Sequence, residues 1–407
     1  MSVRRTVAIP RYRPHAGPAL FSAGFRPFFL LAATWAALAI PLWLVAYMTG
    51  FVPPSAFPPI IWHAHEIVFG FAAATVAGFL LTAIPNWTGR MPLQGWPLAA
   101  LAMLWSVGRI AVLLSAQIGA PLAAIADLSF PIVFLAVVAR EIVAGRNWRN
   151  LPMLGALSLL LIGNLLVHLS ALDLADTAEL GNRIGIGTLL TLIALVGGRI
   201  VPSFTRNWLA KSRPEIAPPA PVERFDLVAL IVIGLGVAIW VFAPDSDAAR
   251  WAELAAGIVA AWRLSRWRGL STFREPLVLV LHIGYGWLVL GLLLMGLNGF
   301  YPFLPPTTAL HALTVGAIGT MTLAVMTRAS LGHLGRPLLA GPGTKAIYVL
   351  VTLSAILRLA VPLAGAQMLL VLSLAGAAWC AAFGLFVVLY GAPLARPRVS
   401  GDVTTSI

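Results

Sequence analysis

The chain has 407 residues, 60% of them hydrophobic and only 10% charged, and its mean hydropathy is +0.92, a composition suited to lipid rather than to soluble domains. Twelve apolar segments of ~20 residues would occupy roughly 240 positions, which leaves no room for a sizeable soluble domain. The formal charge of +13 is scattered through short loops between apolar runs, which excludes nucleic acid as a partner, and the single cysteine, Cys380, excludes intrachain disulfides, paired-cysteine redox or zinc motifs and covalent haem attachment.

In chain order, the apolar runs predict an all-α polytopic membrane protein with about twelve transmembrane helices, near 28–50, 62–85, 96–116, 121–139, 151–172, 183–202, 226–244, 249–263, 276–298, 307–328, 344–363 and 366–390. The run at 249–263 is the weakest. It is short and opens with Arg250, Trp251 and Glu253, so an interfacial helix competes with a crossing there. The first run is ~23 residues long and is followed by Pro53 and Pro54 rather than by a small-residue cleavage site, so it is expected to remain as a span.

Lys and Arg near helix ends favour the cytoplasm, and here they alternate. Arg4, Arg5, Arg11, Arg13 and Arg26 precede span 1, Arg90 follows span 2, Arg140, Arg146 and Arg149 follow span 4, and Arg206, Lys211, Arg213 and Arg224 follow span 6. Arg263, Arg266, Arg268 and Arg274 follow span 8, Arg328, Arg336 and Lys345 follow span 10, and Arg396 and Arg398 close the chain. The expectation is a cytoplasmic N-terminal segment 1–27, a transmembrane domain 28–392 and a cytoplasmic tail 393–407. A Pro-rich cytoplasmic loop, 203–225, would separate the halves.

Spans 2, 6 and 10 end alike, with Ile84-Pro85-Asn86-Trp87-Thr88-Gly89, Val201-Pro202-Ser203-Phe204-Thr205-Arg206 and Met326-Thr327-Arg328-Ala329-Ser330. Spans 2 and 10 also begin alike, with His63-Ala64 and His311-Ala312. A period of four helices, roughly 120 residues, is the kind of repeat from which membrane folds are built.

Ionisable groups in hydrocarbon are costly and usually face the bundle interior. Of the seven histidines, His63, His65, His168 and His311 fall toward the outer ends of spans 2, 5 and 10, whereas His282 lies nearer the inner end of span 9. Residues two apart on a helix point about 200° apart, so His63 and His65 are expected to serve two neighbouring sites rather than one ion. His63 and Glu66, three apart, share a face. Imidazoles facing each other across a flat macrocycle, with small residues nearby, suit haem, and spans 2 and 10 supply both. Arg183 and Arg358 are candidates to pair with haem propionates; the competing reading is a structural pair with a carboxylate such as Asp127. Arg109 and Arg199 are further buried charges.

The runs Ser22-Ala23-Gly24-Phe25-Arg26-Pro27-Phe28-Phe29, Trp62-His63-Ala64-His65-Glu66 with Gly70-Phe71, and Asn86-Trp87-Thr88-Gly89 resemble the NnrS family. So do Gly198-Arg199-Ile200-Val201-Pro202-Ser203-Phe204-Thr205, His311-Ala312 and Met326-Thr327-Arg328-Ala329-Ser330-Leu331-Gly332-His333. The resemblance spans nearly the whole chain. It implies a multi-pass protein of the bacterial inner membrane that contains haem and copper and is linked to denitrification and the response to nitric oxide. A looser similarity of architecture is to the haem-copper oxidases, with twelve helices in three arcs of four and haem histidines on helices 2 and 10. The sequence departs from them because spans 6 and 7 carry no histidine and the two-apart pair lies on span 2.

Three functions follow as expectations. The first is a haem-copper protein that metabolises or detoxifies nitric oxide, in the manner of a nitric oxide reductase, with quinol or another membrane electron donor. Non-covalent b-type haem would be held by His311 and one of His63 and His65. Copper would use His168 first, then Glu66 or the remaining member of the span 2 pair. The second is a twelve-helix transporter, and the third a non-catalytic haem-based sensor or accessory protein for nitric oxide.

Overall fold

In hydrocarbon each backbone N–H and C=O must be satisfied within its own segment, so a chain of this composition can cross only as helices or a closed barrel. The computed structural model describes residues 16–300 and 305–399. Arg4, Arg5, Arg11, Arg13 and His15, residues 301–304 and residues 400–407 lie outside the described residues. The structure is 82% helix, with no strand among the described residues.

The long helices are α1 (Phe25–Thr49), α2 (Pro59–Thr88), α3 (Trp96–Leu113), α4 (Ala120–Ala144), α5 (Trp148–Ala171), α6 (Ala178–Ser212) and α7 (Arg224–Phe242). They continue as α8 (Asp247–Ser265), α9 (Pro276–Asn298), α10 (Pro306–His333), α11 (Pro342–Leu363) and α12 (Gly365–Ala395). All but α8 are long and apolar enough to cross a membrane, which makes eleven among the described residues. Helix α8 carries Asp247, Arg250, Glu253 and Arg263, and this charge is what separates it from the rest. Its 19 residues span about 28 Å at 1.5 Å per residue, and it packs between α7 and α9. The buried Arg263 Nε donates to Asp226 Oδ1 of α7 at 3.0 Å, and the Ser246 hydroxyl accepts from the Ala249 amide at its N-cap.

The expected loop 203–225 is shorter than the sequence suggests. Helix α6 runs on through Ser212, because polar residues beyond the hydrocarbon can stay helical once the ladder is nucleated.

Burial separates the helices into a centre and a shell. Two thirds of the most apolar stretch of α2, α6 and α10 is buried (67% each), against 33% in α1, α4 and α11. These three helices touch one another, while α1 and α12 pack together and close the shell. Each central helix also contains a π-helical stretch, Glu66–Ala72 in α2, Ile193–Gly197 in α6 and Ala312–Gly319 in α10. π segments are rare and concentrate at functional sites. The helices singled out by their like-sounding ends are therefore also alike in position and in backbone irregularity.

Helices α5 and α6 approach most closely at Gly163 and Gly181, where a Cβ on Gly181 would stand 2.5 Å from the Gly163 carbonyl oxygen. Small residues at such crossings let backbones meet without a hydrophobic driving force. Gly181→Leu should cost about 1–3 kcal/mol through overpacking and lower the thermal midpoint of the purified protein. Gly155→Leu, at a position with open space around its Cβ, should leave that midpoint unchanged.

Candidate functional site

Helix α2 opens with Pro59 in its first turn, and the π segment begins one residue after His65. The two histidines of this turn leave the helix on different sides and enter different surroundings.

His65 is fully buried. Its Nδ1 donates to Glu66 Oε1 at 2.9 Å and its Nε2 to Asn164 Oδ1 of α5 at 2.7 Å, with Asp127 Oδ2 of α4 at 3.3 Å. Asn164 Nδ2 donates to Asp127 Oδ2 at 2.9 Å, which fixes the orientation of the amide. His168 Nε2 donates to the same Asp127 oxygen at 2.9 Å. From α3, Arg109 Nη1 donates to both Glu66 oxygens, at 2.8 and 2.9 Å, and Nη2 donates to Asp127 Oδ1. The Phe57 ring stands edge-on to both imidazoles.

These hydrogen bonds determine the charge of the cluster. Both ring nitrogens of His65 face oxygen acceptors, so the geometry calls for two protons on the ring or a metal ion in place of the one on Nε2. With Arg109 positive and Glu66 and Asp127 negative, a second cation at or beside His65 brings the cluster to neutrality. Buried charge left unbalanced in hydrocarbon would be heavily penalised.

His65, Asp127 and His168 each offer a ligand atom, all within 4.8 Å of one another. Tetrahedral coordination at 2.0–2.1 Å sets ligand atoms about 3.3 Å apart, and the His65–Asp127 separation of 3.3 Å meets that spacing. Two imidazoles and a carboxylate suit copper or zinc. Glu66, by accepting from Nδ1, holds the ring with Nε2 toward the site, as outer partners of metal-bound histidines do. The donor set therefore fits a transition-metal ion.

His63 points the other way. Its ring stacks on Trp43 of α1 at 4.3 Å between centroids, and its buried Nδ1 has no hydrogen-bond partner. His311, from the first turn of α10, donates from Nδ1 to the Thr307 carbonyl at 2.5 Å, which leaves the Nε2 lone pair free. His63, His311 and Arg358 of α11 line one cavity of about 250 Å³, with otherwise mostly apolar walls including Trp43, Val315 and Trp379. Arg358 has no carboxylate within 4 Å among the described residues. Imidazoles from two helices on one cavity, an unpaired guanidinium and small neighbours such as Ala64 and Gly376 fit a haem in donor chemistry.

The NnrS protein family matches the chain over residues 19–398. The chain belongs to the NnrS family. No curated protein sequence matches it. NnrS membership makes it a membrane protein linked to the nitric oxide response.

Several of the runs that carry the NnrS resemblance perform packing roles. Arg26 Nη1 donates to the carbonyls of Leu394 and Arg396, which ties the start of α1 to the end of α12. In contrast, Trp62-His63-Ala64-His65-Glu66 supplies both donor sets. Glu66 lies against His65 and Arg109, not against His63 as three-residue spacing suggests. Arg183 is not on the His63 cavity: it donates to the Val241 carbonyl at 3.0 Å and lies 3.6 Å from Glu179. His282 shares a 2.9 Å hydrogen bond with Thr205 at the other end of the bundle. Asp127 was singled out in the sequence only as a carboxylate partner, and Asn164 was missed as a member of this cluster. Asn164 and His168, four apart and therefore on one face of α5, were the signal that could have found Asn164.

Arg109→Met would leave two buried carboxylates without their counter-ion, and the expected loss is about 3–5 kcal/mol, read as a lowered thermal midpoint. Arg109→Lys should recover only part of it, since an ammonium cannot span both carboxylates with a planar fork.

Proposed function

We propose that this protein binds haem and copper near the outer ends of its central helices and there reduces or otherwise detoxifies nitric oxide. The observation that carries this reading is the division of His63 and His65, two residues apart on α2, between two separate donor sets. His63 and His311 would hold a non-covalent haem, with Arg358 paired to a propionate. His65, Asp127 and His168 would hold copper. When bound, these groups supply one-electron chemistry at a position that nitric oxide, being small and apolar, reaches through lipid.

The chain's own residues account for the remaining requirements. Coupling two nitric oxide molecules to nitrous oxide and water consumes two electrons and two protons. A membrane quinol would provide the electrons. His65 Nδ1, Glu66 and, through Arg109, Asp127 form a hydrogen-bonded run on which a proton can rest on the Glu66 carboxylate, and Arg109 offsets the charge of both carboxylates. Phe57, packed over both imidazoles of the metal cluster, limits water at that site. The arginine alternation supports cytoplasmic termini, and the NnrS resemblance implies the bacterial inner membrane.

Pyridine-haem and copper analysis of the detergent-purified protein and two variants tests the assignment. His311→Ala should lose haem and keep copper, and His168→Ala should lose copper and keep haem. A full low-spin haem spectrum in His311→Ala would remove His311 as a ligand, and protein isolated without haem would favour the transporter reading. Loss of nitric oxide in the presence of a reduced quinol separates a catalyst from a sensor.

A further inference from the structure

A cavity of about 530 Å³ lies at the opposite end of the bundle from the histidine sites, where the inner ends of α2, α6 and α10 converge. The echoing runs at the ends of these helices form its walls. It falls within the 300–1,000 Å³ usual for small-molecule sites, which are apolar with a few convergent polar groups.

Its polar lining includes Thr82, Asn86 and His333 together with two cations. Arg199 of α6 and Arg328 of α10 both line it, and neither has a carboxylate within 4 Å or a hydrogen bond among the described residues. Arg328 lies over the Phe204 ring at 4.0 Å, which offsets part of its desolvation but leaves the N–H fork unused. Arg199 is exposed and Arg328 half-buried, so both guanidiniums keep N–H donors available at the mouth of the cavity, where an anion would meet charge-assisted donors. The other walls include Phe79, Trp87, Ile200 and Val325.

The cavity also continues inward. Phe79, Met153, Val196, Ile200 and Val325 line both it and an adjoining apolar cavity of about 90 Å³. This second cavity runs between the three central helices as far as Ala72, Leu189 and Ile318. Arginines at the mouth and an apolar recess behind them match the two ends of an amphiphile.

We infer that this cavity binds an amphiphile with an anionic carboxylate or phosphate headgroup, held by Arg199 and Arg328, with its hydrocarbon chain along the apolar walls of the cavity and only the chain end in the recess between α2, α6 and α10. The headgroup sits at the arginine-rich end of the bundle, the end that faces the cytoplasm by the positive-inside tendency, so the ligand enters from the inner leaflet or the cytosol. The site is separate from both histidine sets, and its occupancy does not depend on haem or copper.

Native mass spectrometry of the full chain in a neutral detergent tests this with three probes sharing an oleoyl chain: oleate, lysophosphatidate and uncharged monoolein. A charge-assisted hydrogen bond is worth about 1.5–3 kcal/mol, so one of the two anions should be retained at least about tenfold better than monoolein. The better of the two identifies the headgroup. Arg199→Gln and Arg328→Gln should each lower that retention about tenfold, whereas Arg206→Gln, at an exposed position off the cavity, should not. Equal retention of monoolein, or unchanged retention in both cavity variants, overturns the site. Size-exclusion profiles matching the unmodified protein establish that the variants are folded.

Discussion

A guanidinium buried in hydrocarbon must be met by carboxylates, and Arg109 is met by two from different helices, Glu66 and Asp127. Each carboxylate has lone pairs left over, and these accept from His65, His168 and Asn164. One cation on α3 thereby draws in α2, α4 and α5. The consequence extends beyond the cluster, because the same α2 turn that presents His65 to it sends His63 in the opposite direction. The aim of both imidazoles is fixed by the need to satisfy a charge that water cannot reach.

Much of the fold was legible because lipid reads sequence through length and apolarity. Helix α8 shows where that reading weakens. Its charges lower its hydropathy, yet Arg263 and Asp226 face each other inside the bundle, a pairing that only tertiary structure reveals. The C-terminal end of α6 was underestimated for the opposite reason, since Ser203, Thr205, Arg206, Asn207, Lys211 and Ser212 end the apolar run while the backbone stays helical.

The site was legible in part. Helical spacing separated His63 from His65, and the matching depths of His63 and His311 anticipated their common cavity. The partnership of Glu66 with His65 was not foreseen, because three-residue spacing assumes a regular helix and the backbone turns π-helical at Glu66. Asp127 was considered as a counter-ion for an arginine, but the arginine turned out to be Arg109. No local pattern announces which of several buried charges on separate helices will meet.

The π-helical stretches of α2, α6 and α10 also change what each helix can be asked to do. A wide turn accommodates one residue more than an α-turn, so the helix beyond it is rotated by about 100° relative to an uninterrupted one. Each central helix thus behaves as two levers on a common axis, with a phase adjuster between them. The segments on either side of the wide turn therefore present their side chains in different registers. In α2 the wide turn starts directly after His65, and in α10 directly after His311, so the direction of these imidazoles is set apart from the packing of the rest of each helix.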